Sequence, residues 1–211
     1  MSHPDHPDHD HDHEENAQEP AEDLRNLEQA IRELLDEKGV VTSAQISQQI
    51  DLQDSRTPSL GAKVVAKAWV NAEFKRELLS KPLETINHFF NLSISTPLEL
   101  VVLENTPDVH NIVVCTLCSC YPRMLLGIPP AWYKSTDYRS RVVIEPRVVL
   151  AEFGTQISDK TEVRVLDSTA DIRYIVLPMR PLGTDGLTEQ QLEGLVTRDA
   201  MIGTALPYFT E

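Results

Sequence analysis

All three cysteines of the chain fall within six consecutive residues, as Cys115, Cys118 and Cys120 in VVCTLCSCY. An odd number at such close spacing excludes a conventional disulfide framework. Thiolates are nucleophiles and soft metal ligands, so the cluster invites chemistry of either kind. A thioredoxin-like Cys-x-x-Cys uses two of the three and leaves Cys120 without a role. A structural zinc site needs four ligands and usually a second Cys or His pair, and neither His88 nor His110 supplies one. A compact claw remains: three thiolates on one metal, with main-chain nitrogens between Cys118 and Cys120 as further donors. The plainer alternative is a buried strand end that uses cysteine as a small apolar side chain.

The surrounding elements must position this cluster. LELVVLEN and NIVVCTLC, at 98–105 and 111–118, are short apolar runs rich in β-branched residues, as in buried strands. TEVRVLDS and RYIVLPMRP add two more strands, separated by the polar turn STAD. Residues 138–154 read as a helix interrupted near Pro146 and ended at Gly154. Residues 188–203 read as another, with Thr188 as N-cap and Gln191 placed for a capping box. Upstream, Leu24, Leu27, Ile31, Leu34 and Leu35 have helical spacing and close on Gly39. Thr42 offers a cap for a short helix around 44–50, and 51–60 reads as a loop. A long helix over 61–82 puts Val64, Val65, Ala68, Trp69 and Leu78 on one side and stops at Pro82, and TINHFFNL adds another turn. The expected fold class is α+β: a helical arm over 24–96, then a layered α/β domain over 97–211 that carries the claw.

The 211 residues hold 33 acidic and 19 basic side chains, a formal charge of −14. Nine of the acids and no Lys or Arg lie in residues 1–23, so the acidity is largely a property of that segment. Its alternating His and Asp offer almost nothing apolar to bury, which predicts a disordered tail with no signal or transit peptide. Five His there (His3, His6, His9, His11, His13) could capture a divalent metal loosely. No basic run supports nucleic-acid binding, and no apolar run reaches the ~18–20 residues of a membrane span. The expectation is a soluble, cytoplasmic protein without nucleic-acid or membrane partners.

The run NTPDVHNIVVCTLCSCYP, residues 105–122, resembles the metal-binding segment of the nitrile hydratase alpha subunit. The resemblance continues through GIPPAWYK, YRSRVVIEPR, VLAEFG, VRVLDS, RYIVLP, RPLGTDG and LVTRDAMIG, and reaches the arm through GAKVVAKAW and EFKRELL. It thus covers roughly residues 25–207. Thr116 in Cys-Thr-Leu-Cys-Ser-Cys is the form of cobalt-containing members, where iron members typically carry Ser. The resemblance implies a hydro-lyase of nitrile metabolism that hydrates nitriles to amides at one low-spin cobalt(III) per alpha subunit. Cys115, Cys118 and Cys120 would give sulfur, and Ser119 and Cys120 their deprotonated main-chain nitrogens. Cys118 would become a cysteine sulfinic acid and Cys120 a sulfenic acid, so that Cys118, Ser119 and Cys120 carry the catalysis. It also implies a beta subunit, in an αβ unit or an α2β2 heterotetramer, and an activator or metallochaperone that inserts the cobalt. Two arginines of that beta subunit would balance the oxidised sulfurs. The substrate is a small nitrile.

Further candidates surround the claw. VRVLDSTADIRY matches a family segment whose acid and arginine sit near the cavity or the subunit interface, which points to Asp167, Asp171 and Arg173. Relatives usually carry Glu where this chain has Asp171. Tyr121 and Trp132 are candidates for the pocket wall, and His110 for a hydrogen-bonded supporting residue. One departure stands out: many cobalt nitrile hydratases have Trp after CSCYP, and this chain has Arg123. The YPR triplet resembles the gamma subunit of thiocyanate hydrolase, a relative with the same cysteine claw, and an arginine beside the metal suits an anion. A non-catalytic metal-binding or delivery protein, using the tail and the claw as a relay, is the remaining reading.

Overall fold

The computed structural model describes residues 22–118 and 120–209. The chain divides into two compact units, the first ending at Gln48 and the second running from Gln49. In the first, α1 (Glu22–Glu37) ends where Gly39 takes a positive φ of 63°, a backbone shape that costs glycine nothing. Leu24, Leu27, Ile31 and Leu34 are all exposed, so the apolar stripe of α1 is open. The second helix, α2 (Ser43–Asp54), opens on Thr42, whose hydroxyl accepts from the Gln45 N–H while Gln45 Oε1 accepts from the Thr42 N–H. It continues well into the stretch 51–60 expected to be a loop.

In the second unit, the single long helix expected over 61–82 is three pieces: α3 (Ser59–Val70), α4 (Ala72–Ser80) and α5 (Pro82–Phe90). Extended Asn71 ends α3 and caps α4, its side chain accepting from the Phe74 N–H. Pro82 opens α5 at the first position, where its missing N–H is harmless, instead of stopping the previous helix. Then follow β1 (Glu99–Glu104), β2 (Val109–Val114), and two single turns of helix not foreseen from the sequence, α6 (Arg123–Leu126) and α7 (Ala131–Lys134). Next come α8 (Thr136–Arg141) and α9 (Pro146–Glu152), again split at a proline, and β3 (Glu162–Asp167) and β4 (Ile172–Leu177). The last expected helix is also two, α10 (Glu189–Glu193) and α11 (Arg198–Ile202). The capping box of Thr188 and Gln191 is present, and Thr197 caps α11 by accepting from Ala200.

The strands form two parallel pairs, β1 with β4 and β2 with β3. Parallel pairs are normally covered on both faces, and β2 is buried along almost its whole length. Phe74, Leu78 and Ile86 of the helices share one core with Ile112, Val113, Val114, Ile175 and Val176 of the strands. The helices α3–α5, expected to belong to an arm, therefore pack within the same body as the strands. Mixed helices and parallel strand pairs make the fold α+β. Because β2 and β3 run in the same direction with Val114 opposite Asp167, both strands end at the same edge. That edge is where the cysteines begin.

Candidate metal centre

The strand β2 ends at Val114, so the cysteines lie on the loop beyond it and not within a strand as expected for 111–118. Cys115 is buried, Cys120 half-buried and Cys118 exposed. The Sγ atoms of Cys115 and Cys118 are 3.3 Å apart, those of Cys118 and Cys120 3.0 Å, and all three lie within 4.8 Å of one another. The Cys118 N–H also donates to Cys115 Sγ at 3.3 Å, which closes the loop back on its origin. Three converging sulfurs fit a thiophilic metal and do not fit magnesium or calcium, which want oxygen. Burial, and then hydrogen bonding with the Cys118 and Cys115 thiols, push the Cys120 thiol up to about 12, against the pull of Arg173. A metal that binds here must therefore displace protons. Ser119, expected to give a main-chain nitrogen, lies outside the described residues.

The loop is gripped from the neighbouring strand. Asp167, last residue of β3, accepts from the Thr116 N–H at 2.9 Å and from its hydroxyl at 2.6 Å. Its neighbour Ser168 extends the ladder by one bond, donating its N–H to the Val114 carbonyl at 2.7 Å. At the far end, the hydroxyl of fully buried Tyr133 donates to the Cys120 carbonyl at 2.9 Å. Tyr133 was not foreseen. Its neighbour Trp132 was, as a pocket residue, but successive residues on a helical turn point about 100° apart. Trp132 instead packs edge-on against Tyr138 and Phe153, with ring centroids 4.9 and 4.7 Å away.

A cavity of about 560 Å³ adjoins the claw. Cys118, Cys120, Tyr121, Arg123 and Arg173 all line it, together with Arg56, another residue that sequence reasoning missed. Among the described residues that line it there is no Asp or Glu, and the charged ones are Arg56, Arg123 and Arg173. Arg173 Nη1 also donates to the Thr169, Ala170 and Ile172 carbonyls, which holds its guanidinium against the turn that leads into β4. Tyr121 is buried, and its hydroxyl has no hydrogen-bond partner among the described residues. Asp171 is apart from the cavity: it is exposed, and its carbonyl accepts from the Glu99 N–H at 2.8 Å. His110, the second residue of β2, is buried, 2.7 Å from the Gly203 carbonyl through Nε2 and 3.1 Å from Asn105 Nδ2 through Nδ1. Those two partners fix a neutral ring with the proton on Nε2. His88 is exposed on α5 and belongs to no cluster with the thiols.

This site and fold have clear relatives. The family described as "Nitrile hydratase, alpha chain" matches residues 22–205. The chain is 46% identical to the low-molecular weight cobalt-containing nitrile hydratase subunit alpha of Rhodococcus rhodochrous, over 88% of this chain and 90% of the relative. It is 43% identical to the thiocyanate hydrolase subunit gamma of Thiobacillus thioparus, over 90% of this chain and 82% of that one. Among solved structures, a double mutant of the Fe-type nitrile hydratase from Comamonas testosteroni Ni1 superposes with a TM-score of 0.82 at 38% identity, covering 90% of this chain and 93% of the other. The chain belongs to the nitrile hydratase alpha-subunit family, and its clustered cysteines are able to hold a metal.

Proposed function

We propose that this chain is the alpha subunit of a cobalt nitrile hydratase and adds water across the carbon–nitrogen triple bond of a small nitrile to give an amide. The observation that carries the proposal is the convergence of three sulfurs within 4.8 Å, on a loop at the edge of a cavity, in a chain of this family. Cys115, Cys118 and Cys120 would hold the metal through sulfur, with the main-chain nitrogens of Ser119 and Cys120. Cobalt is favoured over iron by Thr116 and by similarity to cobalt-containing relatives. Bound there as a trivalent ion, it supplies Lewis acidity, which polarises a nitrile or acidifies a water.

The chain's own residues prepare that chemistry. Asp167 fixes Thr116 and so the direction in which the claw leaves β2. Tyr121 walls the cavity with a buried ring, excluding bulk water from one side. Arg173 stands on the cavity side of the sulfurs, where its charge suits oxidised Cys118 and Cys120. A beta subunit completes the enzyme, and an activator protein inserts the cobalt.

The second reading, a thiocyanate hydrolase gamma-type subunit, is favoured by one observation: Arg56, Arg123 and Arg173 all line the cavity beside the claw. The deciding experiment copurifies the chain with its partner and measures metal content, intact mass and turnover. The expected result is one cobalt per chain, a mass gain of three oxygens over Cys118 and Cys120, and amide from a neutral nitrile. Stoichiometric zinc with unmodified thiols would sink the proposal. Turnover of thiocyanate alone would replace it with the second reading.

A further inference from the structure

We infer that Tyr133 is a positioning residue for the claw, its hydroxyl holding the Cys120 carbonyl so that the Cys118–Cys120 end is presented for metal capture. This rests on the metal-binding reading of the claw but not on the reaction assigned to it. The β2–β3 ladder ends at Val114 and Asp167, and its last extension is the Ser168 bond to Val114. Asp167 then fixes Thr116. From there the chain must turn outward through Leu117, which is 87% exposed, and return so that Cys120 faces the other two sulfurs. The bond from Tyr133 is what meets it on the return, 2.9 Å from the Cys120 carbonyl.

The phenol is suited to that task. Its ring is fully buried and lies edge-on to Tyr121 with centroids 5.0 Å apart, directly after the claw in sequence. It also lies 5.9 Å from Tyr138, whose own hydroxyl bonds the Val113 carbonyl within β2. A buried tyrosine hydroxyl needs a partner, and here the partner is the backbone of a claw residue. With only two side-chain torsions, a packed tyrosine fixes that carbonyl at small entropic cost. The Cys118 and Cys120 sulfurs stand 3.0 Å apart, close enough that one ion would reach both, and an unanchored Cys120 peptide would have to be ordered at the moment of binding.

The test titrates the reduced, full-length chain with Co2+ under argon and follows thiolate-to-cobalt charge-transfer absorption. Hydrogen exchange is read in parallel, with thermal midpoints measured first and every titration run well below the lower one. Tyr133→Phe keeps the ring and removes one hydroxyl. The expected result is about tenfold weaker Co2+ binding, the value of one net hydrogen bond. Residues 117–121 should exchange faster, while Ile112–Val114 stay protected. Tyr138→Phe, which removes the equivalent hydroxyl from a strand carbonyl, is the reference for general loss of packing and should weaken Co2+ binding less. Wild-type affinity and exchange in Tyr133→Phe would overturn the inference, as would equal weakening in the two variants. A wild-type chain without thiolate–cobalt absorption overturns it together with the metal reading. If the Tyr133 effect appears but the purified complex hydrates no nitrile, the inference stands and only the reaction falls.

Discussion

At the scale of single residues, the site divides donors from holders. The candidate sulfur donors are Cys115, Cys118 and Cys120, which together are able to hold a metal. Cys118→Ser in the complex should therefore abolish amide formation, measured as product from a neutral nitrile. Asp167 is a holder: it is exposed, so its bonds to Thr116 add little to global stability but decide the loop's path. Asp167→Ala should lower cobalt content severalfold while moving the thermal midpoint by roughly 2–4 °C or less. Elemental analysis beside a melting curve checks both halves, and unchanged cobalt would show that Thr116 needs no anchor. His110 offers a separate test. Burial first, and the charge of Arg147, lower its pKa below the ordinary 6.5, against the Gly203 bond. The unfolded chain then takes up a proton before the folded one does. Stability is full above pH 6.5 and is lost as pH falls from 6.5 through the lower folded value. Urea midpoints should fall between about pH 7.5 and pH 5.5 in the parent, and much less in His110→Gln.

At the scale of elements, short segments and tight approaches matter more than long periodic helices. Gly203 follows α11 with a φ of 92°, and a Cβ built there would stand 2.0 Å from the Asn111 carbonyl of β2. That approach lets the Gly203 carbonyl reach His110 and holds the end of α11 close to β2, the strand that leads into the claw. Gly203→Ala combines backbone strain with a clash against main chain, and should cost about 2–4 kcal/mol in urea unfolding. A cost under 0.5 kcal/mol would show that the strand edge yields easily. The helices show why segmentation was hard to read. Asn71 interrupts an apolar pattern that keeps its 3.6-residue rhythm on both sides, so α3 and α4 look continuous. Pro82 and Pro146 start helices, although a proline in sequence is equally compatible with stopping one. The capping box at Thr188 was legible because all its partners lie within four residues.

At the scale of the whole molecule, the charge of −14 is unevenly held: residues 24–211 carry only five more acids than bases. Against that acidic background the claw cavity concentrates three arginines. Removing residues 1–22 should leave cobalt loading of the copurified complex complete, and a shortfall in metal per chain would assign the His-Asp segment a loading role. No helix among the described residues is long and apolar enough to cross a membrane. By itself, the sequence determined the cysteine cluster able to hold a metal, the family and the α+β class. Metal-binding cysteines at close spacing and strand-forming runs are local patterns, readable without knowing what lies opposite. Tertiary structure alone decided what holds and surrounds the claw. Asp167 meets Thr116 across 51 residues of sequence because two parallel strands end together, and Tyr133, not Trp132, turns to Cys120 because one helical turn rotates neighbours apart. Those are consequences of which surfaces pack together, and residue type does not encode them.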